Sequence, residues 1–543
     1  MGYALVLLLS SLMIDAGSSP GMQTKPGEGN AATRIPAEPI RNADKGLPFD
    51  EPESVPGLRK AAQEGDAKAQ AHLGRAFYLG NGVRQDYAEA VRWWRKAADQ
   101  GYAEAQCSLG TAYSLGRGVT RDDAQAARWY RKAADQGDGL AQNELGFAYD
   151  SGKGVALDHT EAARWYKKAA DQGFAAAQVN LGNTYSDGKG VTQDRAQAAQ
   201  WWRKAADQGD AAAQFNLGAA YYGGDGVPRD YAEAVRWYRK AADQGNASAQ
   251  NSLGLAYNNG KGVPQDRAQA VRWWRKAADQ GNAAAQSSLG EAYYLNKGVP
   301  QDYAEAARWY RKAADQGVGG AQASLGTAYY SGHGLPQDRA EAIRWWRKAA
   351  NQGNAGAQFN LGTAYYDGGG LPQDRAEAVR WWRRAADQGY ASAQSFLGSA
   401  YANGEGVPQD RAEAIRWWRK AADQGNADAQ FNLGNAYHLG QGVPQDHAEA
   451  ARWWKSAADQ GNADAQFNLG NAYHLGQGVT RDEAKAYFWA NLAAAINEKA
   501  KEDTYSKLRD SIGAKLPPGQ LPKIQKKCRQ WMDASEKRKG QER

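Results

Sequence analysis

Asparagine, tyrosine and histidine side chains recur at two positions of this chain, and both positions suit recognition better than catalysis. Directly before a recurring Leu-Gly pair stand Asn180, Asn216, Asn360, Asn432 and Asn468. Five residues after the same Leu stand Tyr222, Tyr294, Tyr330, Tyr366, His438 and His474. A carboxamide offers a donor and an acceptor to an extended peptide backbone, and tyrosine is a favoured interface anchor. These residues are the predicted partner-binding site; the alternative is that they only fill or solvate a repeated surface.

The residues that could support catalysis or metal binding are scattered. We find no Ser-x-x-Lys motif with partners, no paired carboxylate site and no metal cluster. Cys107 and Cys528 lie far apart and have neither zinc nor disulfide-framework spacing. His438 and His474 hold equivalent places in adjacent units, but stacked helices lie roughly 8–10 Å apart, too far for a shared metal ion. We therefore predict a protein that is not an enzyme and that needs no metal or cofactor.

The elements that would position the binding residues repeat with a fixed period. A Leu-Gly pair recurs every 36 residues, without one insertion, and begins at Leu73, Leu109, Leu145, Leu181, Leu217, Leu253, Leu289, Leu325, Leu361, Leu397, Leu433 and Leu469. Periods of about 20–50 residues indicate a solenoid, a propeller or another array. The pattern inside one unit selects among these.

Each unit is predicted to be two antiparallel helices. In residues 101–137 the first half places Leu109 and Ala112 on one helical face, and the second half does the same with Trp129 and Ala133. Neither half has the alternating pattern of a strand. One hairpin cannot bury its own apolar face, so neighbouring hairpins must stack, with the tryptophans filling the space between them. The predicted class is therefore all-α.

The predicted helix ends have the expected chemistry. Asp86 is a good N-cap, and Glu89 three residues later completes a capping box. Gly116 and Gly118 can adopt the positive φ that ends the first helix, and Gly137 ends the second.

The repeating unit A-Q-x-x-L-G-x-A-Y-x-x-G-x-G-V-x-x-D-x-x-x-A-x-x-W-W/Y-x-K-A-A-x-Q-G resembles the Sel-one-like repeat, a bacterial member of the tetratricopeptide-like helical repeat superfamily. Its diagnostic elements appear here as Leu253-Gly254, Gly260-Lys261-Gly262-Val263 and Lys276-Ala277-Ala278. The resemblance implies a right-handed α–α superhelix, that is, a solenoid of stacked hairpins, which binds proteins or peptides. Related repeats use comparable groove asparagines for this purpose.

Positions that vary between units should mark the face that is not packed. In the first helix of residues 101–137 these positions are Glu104, Cys107, Ser108, Thr111 and Ser114. They form a stripe opposite the Leu and Tyr positions. Because first helices line the concave surface of such a stack, we predict that the stripes combine into a binding groove.

The expected organisation follows from composition. We expect a signal peptide over residues 1–16, a flexible Pro/Gly-rich linker over 17–56, a half-repeat over 57–65, twelve repeats over 66–497, capping helices over 498–534 and a basic tail over 535–543. The signal-peptide interpretation favours a periplasmic or secreted protein. A mis-assigned start codon or a weak membrane tether are the alternatives, and without a signal the chain would be cytoplasmic.

The charge distribution bears on partners. The chain has 67 Lys and Arg against 60 Asp and Glu, and residues 523–543 account for +5 of the net +7. The remaining chain is nearly neutral, which argues against nucleic-acid binding. We expect a monomer with a protein or peptide partner, touching a membrane only through the N-terminal apolar segment or the basic tail.

Two other functions remain open at this point. Some secreted relatives of the repeat family are described as β-lactamase-like enzymes, although those usually carry a cysteine pair in each repeat. The other alternative is a host-interaction factor. The leading interpretation is a non-catalytic scaffold or adaptor in the bacterial cell envelope.

Overall fold

The structure is a computed structural model that describes residues 55–496 and 502–542. The predicted signal peptide and nearly all of the predicted linker lie outside the described residues. The described residues belong to two compact units, one ending at Ala285 and the other beginning at Gln286. Every regular element in the described part of the chain is a helix, as the repeat pattern predicts.

The first unit begins with a helix, Val55–Gln63, that takes the place of the second helix of a preceding hairpin. Six hairpins follow it. Their helices are Ala67–Leu79 and Tyr87–Asp99, Ala103–Leu115 and Asp123–Asp135, Gly139–Ser151 and His159–Asp171, Ala175–Asp187 and Arg195–Asp207, Ala211–Gly223 and Tyr231–Asp243, and Ala247–Asn259 and Arg267–Asp279. Each second helix packs against its own first helix and, where the next hairpin belongs to the same unit, against the first helix of that hairpin.

The second unit repeats this arrangement and ends in three atypical helices. Its hairpins are Ala283–Tyr294 (mostly within this unit) and Tyr303–Asp315, Gly319–Ser331 and Arg339–Asn351, Ala355–Asp367 and Arg375–Asp387, Ala391–Asn403 and Arg411–Asp423, Ala427–Leu439 and His447–Asp459, and Ala463–Leu475 with Glu483–Ile496. Helices Glu502–Gly513 and Gln520–Glu542 complete it. Both pack against Glu483–Ile496, where Trp531 lies 6.5 Å from Trp489 between ring centroids.

The helix ends follow the predicted chemistry in part. The carboxylate of Asp86 accepts a hydrogen bond from the backbone N–H of Glu89, so Asp86 is an N-cap. The backbone N–H of Asp86, however, donates to the carbonyl of Phe77 in the first helix. The Glu89 carboxylate pairs instead with Arg92 at 2.5 Å. The capping box is therefore only half formed, because the turn itself satisfies the second backbone donor.

The glycine of each Leu-Gly pair lets an aromatic ring of the second helix approach closely. A Cβ atom placed on Gly110 would lie 2.7 Å from Cδ1 of Tyr130. The same relation recurs in eleven of the twelve hairpins, and Gly470 differs because Ala490 holds the position of the ring. The hairpin thus needs a residue without a side chain at this position.

The turn between the two helices also contacts the preceding hairpin. Gly118 has φ +76°, as predicted, and a Cβ atom there would lie 2.1 Å from the carbonyl oxygen of Tyr87. Tyr87 begins the second helix of the preceding hairpin. The second glycine of the Gly-x-Gly element therefore serves the stacking of hairpins as well as the turn.

In several second helices the first of two adjacent aromatic residues packs against the preceding hairpin. Trp165 packs into a cluster formed by Cys107, Tyr130 and Leu145. Burial of an aromatic side chain contributes roughly 4–6 kcal/mol as an upper bound. Within the described ranges, no helix is long and apolar enough to cross a membrane.

Candidate partner-binding surface

A ladder of buried glutamines holds the first helices in place beneath the predicted binding surface. Gln106 donates to the carbonyl of Ala98 in the preceding hairpin at 3.1 Å and accepts from Gln136 of its own hairpin at 2.7 Å. This arrangement recurs along the array. At its end the Gln466 Oε1 atom is buried and has no hydrogen-bond partner among the described residues. The ladder fixes the spacing of first helices because each buried amide satisfies a carbonyl of its neighbour.

The ladder escaped the sequence interpretation, which treated invariant positions as packing only. The sequence does contain a pattern that indicates the ladder. In every unit but the last, the glutamine of the Ala-Gln pair is followed 30 residues later by another glutamine. In that unit the second position is Ile496, which cannot donate a hydrogen bond.

The five predicted asparagines occupy equivalent places but have different environments. Asn180 is buried, with 4% of its surface exposed, and donates to Asn143 Oδ1 of the preceding hairpin at 3.0 Å. Asn216 and Asn468 are partly buried and donate to Asn183 and Asn435, each at 3.0 Å. Each of these three amides thus already donates a hydrogen bond to a neighbouring first helix.

Asn360 and Asn432 differ from the other three. Both are partly exposed, and neither side chain has a hydrogen bond among the described residues. Phe396 holds the equivalent place in the hairpin between them and is also partly exposed. We call Asn360, Phe396 and Asn432 the amide–Phe–amide stripe. It presents two available carboxamides on either side of an apolar ring.

Two of the five residues predicted to face away from the core, Cys107 and Thr111, are in fact buried. Cys107 is 3% exposed and Thr111 is 1% exposed, and the Thr111 hydroxyl donates to the Cys107 carbonyl. The prediction of a free stripe is wrong for these two residues. Cys107 faces the next hairpin, where it packs with Leu145 and Trp165.

The predicted tyrosines and histidines share a contact that sequence reasoning did not anticipate. Each side chain lies against the residue nine positions later, which opens the second helix. The pairs are Tyr222 with Tyr231, Tyr294 with Tyr303, Tyr330 with Arg339, Tyr366 with Arg375, His438 with His447, and His474 with Glu483. The variable positions are thus coupled in pairs across the turn.

A third residue, from the next Gly-x-Gly turn, joins several of these pairs. Glu405 accepts a hydrogen bond from the Tyr366 hydroxyl at 2.5 Å, and burial together with this carboxylate raises the pKa of Tyr366 to about 12. His333 Nδ1 lies 3.3 Å from the Tyr294 hydroxyl. The rings remain partly exposed, so the predicted role in partner binding stays a prediction.

His438 and His474 each have a partner in their own hairpin. His438 Nδ1 lies 3.2 Å from His447 Nδ1, and His474 Nδ1 lies 2.7 Å from a Glu483 oxygen. In the part of the chain that the structure describes, no group of three or more His, Cys, Asp or Glu residues is placed to hold a metal ion.

The fold and these motifs define a class of protein. The Sel1 repeat family model matches twelve consecutive segments: 67–102, 103–138, 139–174, 175–210, 211–246, 247–282, 283–318, 320–354, 355–390, 391–426, 427–462 and 463–497. The chain therefore belongs to the Sel1 repeat family, and its all-α solenoid with a 36-residue repeat is confirmed. Helical solenoids of this family are commonly used for protein–protein interaction.

Two solved structures illustrate the similarity. A protective antigen present in uropathogenic Escherichia coli strains, which has the SLR fold, is 39% identical with a TM-score of 0.73, over 82% of this chain and 94% of that one. A Sel1 repeat protein from Oxalobacter formigenes is 35% identical with a TM-score of 0.46, over 64% of this chain and 97% of that one. A comparison with curated protein sequences finds no match.

Proposed function

We propose that this protein is a non-catalytic scaffold that binds a peptide or protein segment along its first helices. The observation that carries the proposal is the amide–Phe–amide stripe. Asn360 and Asn432 are partly exposed carboxamides without hydrogen bonds among the described residues, and Phe396 lies between them in register. Amides that keep both donor and acceptor available can bind the backbone of an extended peptide. An aromatic ring between them can hold a side chain.

The second helices are poorer candidates for a selective binding surface than the first helices. Their outer surfaces carry the same Glu and Arg pairs in successive hairpins, such as Glu377 with Arg380 and Glu413 with Arg416. Exposed pairs of this kind contribute little and distinguish no partner. The first helices, in contrast, differ from hairpin to hairpin at exposed positions, which is what selective binding requires.

A photo-crosslinking experiment with the full chain tests the proposal. A photoreactive phenylalanine analogue is placed at Phe396 in one variant and at Arg380 in a control. Arg380 lies on a second helix and is the more accessible of the two positions, since its side chain is 75% exposed and Phe396 is only partly exposed. In cells that produce the protein, we expect a discrete protein adduct from position 396 only. Replacing both Asn360 and Asn432 by Ala should remove that adduct.

Other outcomes would count against the proposal. Equal adducts from positions 396 and 380 would mean that contact is unselective. An adduct that survives the double Asn→Ala change would move the contact away from the stripe. The matched variant Asn180→Ala alters a buried amide and controls for a general loss of folding.

We also propose that the chain acts in the cell envelope or outside the cell. The apolar run in residues 3–13 and the small residues after it support export. The similarity to a protein described as a protective antigen points the same way. Mass spectrometry of the protein from fractionated cells tests this. We expect a chain that begins after residue 16 in the periplasmic or secreted fraction, whereas an uncleaved chain in the cytoplasm would contradict the proposal.

A further inference from the structure

In four hairpins the aromatic ring five residues after the repeat leucine packs on a tryptophan of the second helix. The pairs are Tyr78 with Trp94 at 5.3 Å, and Tyr330 with Trp346, Tyr366 with Trp382 and His438 with Trp454 at 5.2 Å each, between ring centroids. In the hairpin of residues 175–210, Trp202 holds the place of the tryptophan, but Ser186 stands where the other ring would be. Trp202 is 7% exposed, against 1–4% for the tryptophans of those four hairpins.

A cavity of about 250 Å³ marks this place. Ser186, Arg195, Trp202 and Asp225 are among the residues that line it, and all four belong to the unit that ends at Ala285. Sites for drug-sized ligands usually measure roughly 300–1,000 Å³. The smaller volume here suits a single ring. We call this cavity the Ser186 slot.

The chain itself contains a filled version of the slot. The ring of Tyr366 packs on Trp382, the guanidinium of Arg375 lies 5.5 Å from its centroid, and its hydroxyl donates to Glu405 at 2.5 Å. The residues five repeats earlier are Trp202, Arg195 and Asp225, in the same order, and Ser186 stands in the position of the tyrosine. The Ser186 slot thus keeps the three groups that contact a tyrosine ring and lacks only the ring.

We propose that the Ser186 slot binds a phenol ring and that its natural occupant is a tyrosine side chain of the bound partner, which rests on the proposed function. The ring packs on Trp202 and lies under the guanidinium of Arg195, and the phenol hydroxyl donates to Asp225. Without an occupant, Arg195 pairs with Asp225 at 2.7 Å. That pair is partly exposed, with side-chain exposures of 56% and 24%, so its rearrangement costs little.

Ligand-observed NMR with p-cresol, the side chain of tyrosine, tests the slot on the full-length protein. Toluene, which lacks the hydroxyl, is the matched ligand. We expect p-cresol to bind at least tenfold more tightly than toluene, because a hydrogen bond to a partly buried carboxylate discriminates by about that factor. Asp225→Ala should remove this difference. Glu405→Ala should leave p-cresol binding unchanged, because Tyr366 already occupies the equivalent place.

A second variant fills the slot from within. Ser186→Tyr should abolish p-cresol binding and raise the melting temperature, since the new ring finds the same three contacts as Tyr366. Equal binding of p-cresol and toluene, or p-cresol binding that survives Ser186→Tyr in a folded protein, would overturn the proposal. If Ser186→Tyr does not fold, p-cresol binding to Asp225→Ala and to Glu405→Ala still tests the proposal.

The source of the phenol is tested separately with a partner captured by a photoreactive residue in place of Lys189, which also lines the slot. We expect Ser186→Tyr to weaken that partner's binding at least tenfold. If p-cresol binds but the partner's affinity is unchanged by Ser186→Tyr, the assignment of a partner tyrosine is wrong while the slot stands. If a partner is captured but p-cresol does not bind, the slot fails and the scaffold function stands.

Discussion

A Cβ atom on Gly326 would lie 2.5 Å from Cδ1 of Trp346, so the two residues can occupy the same hairpin only because Gly326 has no side chain. The contact joins helix Gly319–Ser331 to helix Arg339–Asn351. The carbonyl oxygen of Ala342 lies 3.0 Å from the same point, which leaves the ring little room to move away. The Leu-Gly pair is therefore a packing requirement of the hairpin.

Gly326→Ala should destabilise the protein by about 1–3 kcal/mol, the usual cost of overpacking a core. Gly320→Ala is the matched control in the same helix, because nothing lies within 4 Å of its Cβ position. That change should stabilise by roughly 0.5–1 kcal/mol through the higher helix propensity of alanine. Urea denaturation of both variants measures the difference. Equal effects would show that Trp346 yields without cost.

Two glycines with positive φ allow the cost of backbone strain to be measured separately from the cost of a steric clash. Gly334 has φ +73°, and a Cβ atom there would lie 2.0 Å from the Tyr303 carbonyl oxygen. Gly353 has φ +88° with nothing within 4 Å of its Cβ position. Gly353→Ala should cost roughly 1–2 kcal/mol from the left-handed backbone alone. Gly334→Ala should cost clearly more, because it also pushes two hairpins apart. Urea midpoints that agree for the two variants would contradict this.

The glutamine ladder should behave as a coupled unit. Gln358 donates to the Ala350 carbonyl at 3.1 Å and accepts from Gln388 at 2.7 Å. Gln358→Met removes both bonds while keeping the side-chain length, and should cost about 1–3 kcal/mol because a buried side chain loses two hydrogen bonds. The double variant with Gln388→Met should cost less than the sum of the single changes. Additive losses in urea denaturation would show that the two amides act independently.

The hairpins and their ends could be predicted because each depends on local chemistry. Asp86 caps a helix, and Gly116 ends one with φ +67°, as the sequence alone indicates. The period of the Leu-Gly pair then requires stacking, since a single hairpin cannot bury its face.

The binding surface was less predictable, because variability between repeats has two physical causes. Some variable residues face solvent, as Asn360 does in part, whereas others contact a variable residue of the same or a neighbouring hairpin. Asn180 is buried against Asn143 of the preceding hairpin, and His438 lies against His447 of its own hairpin. Comparing units one position at a time cannot separate these causes; comparing pairs of positions nine residues apart would have revealed contacts such as that of His438 with His447.

The two thiols should be unreactive while the chain is folded. Cys107 and Cys528 are both free and buried, and burial raises the pKa of each thiol, that of Cys107 well above its usual range. Since the thiolate is the nucleophile, neither should react with Ellman's reagent until denaturant is added. In low urea Cys528 should react first, because helix Gln520–Glu542 is at the end of the array. The variant Cys528→Ser, which retains only Cys107, identifies the order; a faster reaction of Cys107 would contradict it.

The paired imidazoles of His438 and His447 should make stability depend on pH. Burial, and secondarily the charge of His447, lower the pKa of His438 from its ordinary value of 6.5. Between 6.5 and that lowered value the unfolded chain binds the proton and the folded chain does not, so stability falls as the pH falls through this window.

NMR titration of the imidazole should show His438 protonating below pH 6.5. His447→Gln should raise the pKa only part of the way, because the burial against Trp454 remains. His438→Tyr, a residue that five other repeats carry at this position, should remove this pH dependence from urea denaturation curves. A variant that loses stability over the same window as the parent would show that another group titrates there.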